Sequence, residues 1–134
     1  MIVFRARGQL LKKLLDAAGS GSHALVLSEA GKVRGFATYF PASHTERDLM
    51  VCSVVVAKGY RHHSRTLLKA LADVITSAHD AIGEGFFVTC DSESTAGERL
   101  AKLAAKRLGC PVIDFGKLDR IINPNSQRVW QELV

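Results

Sequence analysis

Long hydrophobic runs are absent from this chain of 134 residues. None approaches the ~20 apolar residues that a helix needs to cross a bilayer, so no membrane-embedded segment is expected. Proline is scarce, with three residues, and no repeat, low-complexity tract or linker divides the sequence. Residues 1–134 therefore read as one domain without long disorder. Cys52, Cys90 and Cys110 are odd in number, widely spaced and free of any CxxC pair, which argues against a zinc site and against a disulfide framework. Such usage fits buried free thiols in a reducing, cytoplasmic setting. Exposed rings are also few, because most of the six Phe, two Tyr and single Trp lie in apolar segments. Stacking of single-stranded bases needs such rings, and no helix-turn-helix or RNA-binding signature is present.

What is present is the composition of an ordinary globular chain, 47% hydrophobic and 23% charged. The opening stretch MIVFRARGQLLKKLL carries arginines where a signal peptide is apolar, and reads as structure rather than as a targeting segment. A formal net charge of +5 favours an anionic partner. A nucleotide cofactor, a nucleic acid and an acidic protein all qualify on charge alone.

Hydrophobic periodicity sets out the elements. Residues 2–6 predict a short strand, and GQLLKKLLDAAG an amphipathic helix ended by Gly19. HALVLSEAGKVRGFATYF predicts a β-hairpin turning around Ala30-Gly31-Lys32, with Pro41 ending its second strand. After the polar loop PASHTERD, LMVCSVVVA is a near-continuous apolar strand of the kind covered on both faces. A helix follows from Ser64 to Ile82, then the strand GFFVTC, a loop over 91–95, a helix through Leu108, the strand PVIDF and a short helix in NSQRVWQELV. The order β-α-β-β-β-α-β-α-β-α predicts a mixed α/β sandwich with helices on both faces of the sheet.

The chemistry concentrates in VVVAKGYRHHSRTLLKALADVI, residues 54–75, where a β-branched strand runs straight into a helix. The amino end of a helix presents unpaired N–H groups backed by the positive end of its dipole, and phosphates bind there. Arg61 and Arg65 can add bidentate contacts and Lys58 a point charge, while Ser64 is placed as the N-cap. The bland alternative is a solvated basic loop. The adjacent His62 and His63 are expected to diverge, which leaves them unsuited to a metal.

Element order and junction together resemble the GNAT N-acetyltransferase superfamily over roughly residues 2–120. In that family a pyrophosphate-binding turn of the form Arg/Gln-x-x-Gly-x-Gly/Ala opens the helix, often after an aromatic-Arg pair and before paired leucines. Here GYRHHSRTLL supplies Tyr60-Arg61 and Leu67-Leu68, and CDSESTAGERLAKLAAKRLGCPV is similar to the second half, with its helix ending in (K/R)LG. The resemblance implies a mostly antiparallel central sheet and acetyl-CoA, or another acyl-CoA, as cofactor. It also implies N-acyl transfer to an amine of a small molecule or protein. Arg61, His62, His63, Ser64 and Arg65 would take the pyrophosphate, and the main chain at Val55 and Val56 would polarise the thioester carbonyl. Glu46 and Asp48 stand where a base could deprotonate the acceptor, and Tyr60 would supply a phenol.

The sequence also departs from that pattern. His62, His63, Ser64 and Arg65 replace the turn's glycines, and RLAKLAAKRLG lacks the tyrosine that many members use as general acid. A GNAT-like protein of bacterial or bacteriophage origin that has lost catalysis and binds a partner protein is therefore the alternative. A basic nucleic-acid binder is the second. Cys52 and Cys90 are expected on neighbouring strands as buried filler, and Trp130 as an anchor for the last helix. The open face of so small a sheet leaves room for a homodimer.

Overall fold

The computed structural model describes residues 1–90 and 95–114. It contains β1 (Ile2–Arg5), α1 (Gly8–Ala18), β2 (His23–Glu29), β3 (Lys32–Phe40) and β4 (Asp48–Val56). A 3₁₀ turn (Arg61–His63) then leads into α2 (Ser64–Ile82), followed by β5 (Phe87–Cys90), α3 (Thr95–Leu108) and β6 (Val112–Asp114). The six strands lie in one open sheet in chain order, the first three pairings antiparallel and the last two parallel. The result is an α/β domain with a mostly antiparallel sheet. The loop over 91–94 and the helix anticipated in the tail, with Trp130, lie outside the described residues.

Local sequence explains the elements. α1 ends at Gly19, whose φ of 74° admits the left-handed cap and lets its N–H reach the Leu15 carbonyl at 2.9 Å. The hairpin turns on two residues, Ala30 (φ 51°) and Gly31 (φ 76°), while Lys32 already pairs with Glu29. Positive φ at both positions is the turn whose twist matches the flanking strands.

The sheet separates two cores. α2 and α3 cover one face through Leu67, Leu71, Ile75, Ala101, Ala104 and Ala105, packed on Leu25, Leu27, Ala37, Leu49, Val51 and Val54. α1 covers the other, where Leu14 and Ala18 meet Ala24, Val26, Phe36 and Val55. Side chains alternate along a strand, so Leu49 and Val51 sharing a face with Val54 requires an interruption. A bulge supplies it. Tyr39 pairs with Val51 but Ala37 with Val54, so Cys52 and Ser53 together oppose Thr38. The Ser53 N–H left without a carbonyl donates instead to Thr38 Oγ1 at 3.1 Å.

Cys52 and Cys90 sit on the neighbouring strands β4 and β5, both buried, as the sequence predicts. Among the described residues no helix is long and apolar enough to cross a membrane, and no group of three or more His, Cys, Asp or Glu is placed to hold a metal ion.

Candidate functional site: a basic corner and an open strand edge

β4 delivers the chain to the corner predicted from residues 54–75. Ala57 to Tyr60 form a tight turn closed by Tyr60 N–H to the Ala57 carbonyl at 2.9 Å, with Gly59 at φ 106°. The 3₁₀ turn follows, closed by His63 N–H to the Tyr60 carbonyl at 2.9 Å. Ser64 is not the N-cap. Its φ of −57° and ψ of −31° are helical, His63 occupies the cap, and no side chain caps the helix. The 3₁₀ turn merges into α2 and moves the helix entry to its own start, which takes Ser64 out of the extended conformation that a cap needs.

The imidazoles also differ from expectation. His62 and His63 do not diverge: their ring centroids stand 3.9 Å apart at 47°. The 3₁₀ turn rotates successive residues by about 120°, against roughly 180° in a strand, and so permits this stacking. His62 is exposed and His63 half-buried.

Arg34, which sequence reasoning missed, joins the corner. Ala57 N–H donates to its carbonyl at 2.8 Å, and its guanidinium lies 4.4 Å from the centroid of the Tyr60 ring. Its Nε is buried without a hydrogen-bond partner. Arg34, Lys58, Arg61 and Arg65 form no ion pair among the described residues, and the chain carries no carboxylate from Leu49 to Ala72. The first turn of α2 likewise contains no acidic residue. Unneutralised cations around a positive dipole end hold a standing positive potential, the condition for binding an anion.

Beside this corner, β4 has a one-sided edge. β5 pairs with it only over Asp48–Val51, and among the described residues no strand flanks β4 on that side from Cys52 to Val56. Register decides which main-chain groups face the opening. Val55 pairs with Phe36 and Ala57 bonds Arg34, so these two turn their polar groups toward β3. Val54 and Val56 face the open side. Of the two main-chain positions named from the sequence, Val56 faces this side and Val55 faces β3, because alternate residues of a strand bond to opposite neighbours.

The remaining candidates lie elsewhere. Asp48 starts β4 and accepts a hydrogen bond from Thr89 Oγ1 at 3.0 Å. Glu46 is exposed in the preceding loop, where its N–H and carbonyl bond Ser43. β4 is nine residues long, so these carboxylates stand on the order of 25 Å from the basic corner. Tyr60 belongs to the corner. The structure thus brings together Tyr60, Arg61, His62, His63, Ser64 and Arg65, and keeps Glu46 and Asp48 apart from them.

The fold and site define an α/β domain with a phosphate-compatible corner at a strand-to-helix junction. Comparison with protein-family models, with curated proteins and with solved structures found no match.

Proposed function

We propose that the chain is an acyl-CoA-dependent N-acyltransferase of GNAT-like type. The observation that carries this reading is the cluster of Arg34, Lys58, Arg61 and Arg65 around the amino end of α2, with a buried guanidinium nitrogen and, among the described residues, no carboxylate paired with it. A diphosphate answers that charge with several charge-assisted hydrogen bonds. The pantetheine arm would then run along the side of β4 that no described strand covers, where Val54 and Val56 offer main-chain donors and acceptors. The amine nitrogen attacks the thioester carbon, the C–N bond forms, the C–S bond breaks, and CoA leaves as the thiol after taking up the proton that the amine releases.

Titration calorimetry with acetyl-CoA tests the reading. Binding in the micromolar range is expected, and Arg61→Ala with Arg65→Ala should weaken it by about tenfold or more, roughly 1.4 kcal/mol per tenfold, without loss of the fold. Neither heat nor thermal stabilisation at high micromolar acetyl-CoA would sink the proposal. Unchanged affinity in the double variant would place the phosphates elsewhere.

The reading of a GNAT-like protein without catalysis, working by binding a partner, has one observation in its favour: Tyr60 and the carboxylates Glu46 and Asp48 occupy opposite ends of β4. Acetyl-CoA binding without CoA release across a panel of amines selects it.

A further inference from the structure

Strand register gathers one set of side chains at the end of the sheet where the β2–β3 hairpin turns. Ile2 pairs with Ser28, Ser28 with Val33, and the Ala57 N–H bonds the Arg34 carbonyl. The start of β1, the hairpin and the turn after β4 therefore meet there, on adjacent strands about 4.8 Å apart.

Paired residues on neighbouring strands point to the same face of a sheet. Phe4 pairs with Val26, which packs under α1, so Phe4 and Ile2 share the α1 face. Val33 reaches the same face by pairing with Ser28, opposite Ile2. α1 is anchored away from them. It starts just after Ala6 bonds Ala24, and the chain re-enters the sheet where Ser22 bonds Tyr39, both at the far end of these strands. Ile2 is consequently 64% exposed, Val33 41% and Phe4 39%, and only the small Ser28 separates the first two. Apolar side chains scattered singly over a surface are ordinary, whereas a contiguous row is the kind that marks interaction sites.

Charge at this end is nearly all of one sign. The segments that reach it, residues 1–3, 28–34 and 56–65, carry Lys32, Arg34, Lys58, Arg61 and Arg65 against one carboxylate, Glu29. Lys32, Lys58, Arg61 and Arg65 are exposed, and among the described residues none of these cations forms an ion pair.

Cations and exposed aliphatic side chains thus coincide, and together they select a partner. A nucleic acid answers the charge but gives Ile2 and Val33 nothing to enter, and the ring among the cations, Tyr60, already lies under the Arg34 guanidinium. An anionic bilayer answers both. Its headgroups take the cations, and its acyl boundary, about 5–10 Å deep, takes the aliphatic side chains. Attachment of this kind needs no spanning helix.

We propose that this end of the sheet docks reversibly on an anionic phospholipid surface, with Ile2 and Val33 as apolar anchors and Lys32, Lys58 and Arg61 against the headgroups. Lys58 and Arg61 also belong to the acyl-CoA corner. Ile2, Val33 and Lys32 do not, and the test is built on them.

Co-sedimentation of the intact chain with phosphatidylcholine vesicles containing about one-third phosphatidylserine tests the proposal. Binding is expected at low salt and weakens as ionic strength rises, with none to phosphatidylcholine alone. Ile2→Thr with Val33→Thr keeps a β-branched shape at two exposed positions and should lower vesicle affinity about tenfold at an unaltered urea midpoint. Lys32→Gln, at an exposed turn, should lower it severalfold, and decides the matter if the paired variant loses its unfolding transition. Absence of co-sedimentation, equal binding to phosphatidylcholine alone, or full affinity in either variant overturns the proposal. Retention on a short RNA duplex at a salt concentration that strips the chain from vesicles overturns it in favour of a nucleic-acid surface. Acetyl-CoA titration of the same proteins keeps the two proposals apart. Vesicle binding without CoA binding rejects only the acyltransferase reading, and CoA binding without vesicle binding rejects only the lipid surface.

Discussion

Arg34 illustrates how a single side chain acquires meaning from its neighbours. Its guanidinium lies over the Tyr60 ring, and its buried Nε lacks a hydrogen-bond partner among the described residues. His23 presents the opposite case, a cationic form made unfavourable. Burial first and the Arg5 guanidinium second lower its pKa below the ordinary 6.5, while Ser22 Oγ lies 2.9 Å from its Nδ1. A lowered pKa means that the folded state binds fewer protons than the unfolded chain. The stability this gives is fully present above about pH 6.5 and lost as pH falls through the folded-state value. His23→Gln should therefore flatten the acid limb of a urea-unfolding series below about pH 6.5. An acid limb of unchanged slope in the variant would assign the loss to another group. Tyr39, whose ring centroid lies 5.5 Å from that of His23, has its phenol pushed up by burial against a smaller downward pull from Arg5. Its contribution is present below pH 10 and lost as pH rises through the folded value.

At the scale of elements, the bulge in β4 is the decisive feature. It moves Val54 onto the face shared by Leu49 and Val51, turns Val55 toward α1, and sets which main-chain groups face the open edge. Its stability depends on one hydroxyl, since Thr38 Oγ1 receives the Ser53 N–H in the interior. Thr38→Val keeps the shape and orphans that donor, so a loss of about 1–3 kcal/mol is expected in denaturant unfolding. Amide exchange at Ser53 should accelerate in the same variant; an unaltered rate would mean that the bulge is held by something other than this bond. The sequence of β4 signals a buried strand but not a bulge, because Cys52 and Ser53 carry no bulge-forming glycine or other local mark. The helix boundaries were better marked: α2 runs from Ser64 to Ile82 as the leucine spacing predicts. Its cap was misplaced by one residue because the 3₁₀ turn that precedes it has no periodicity of its own.

For the molecule as a whole, the two cores are unequal. The face under α2 and α3 contains the larger cluster, and Leu71 at its centre is fully buried, whereas Leu14 anchors the smaller cluster under α1 at 8% exposure. Leu71→Ala should cost about 2–5 kcal/mol and shift the urea midpoint downward, and Leu14→Ala should cost less because water and the exposed side of α1 can partly fill the gap. The reverse order would mean that α1 is the principal clamp on the sheet. The same architecture also separates charge. α2, of 19 residues, spans nearly 30 Å with its positive end at the basic corner and its negative end beside the cleft lined by His79 and Glu84.

Sequence by itself determined the elements and much of their arrangement, because strand and helix periods, glycine turns and the spacing of leucines are local properties carried by consecutive residues. It also determined that Tyr60, Arg61, His62, His63, Ser64 and Arg65 form one cluster, since they are contiguous on the chain. Tertiary structure alone decided that Arg34 joins them, that Val54 rather than Val55 faces the open edge, and that Glu46 and Asp48 stand a strand's length away. It alone also brought Glu84 and Cys110 to one cleft. Each of these depends on register or on the convergence of segments distant in sequence. Those are set by how the sheet pairs and how its two faces are filled, which no single stretch of residues encodes.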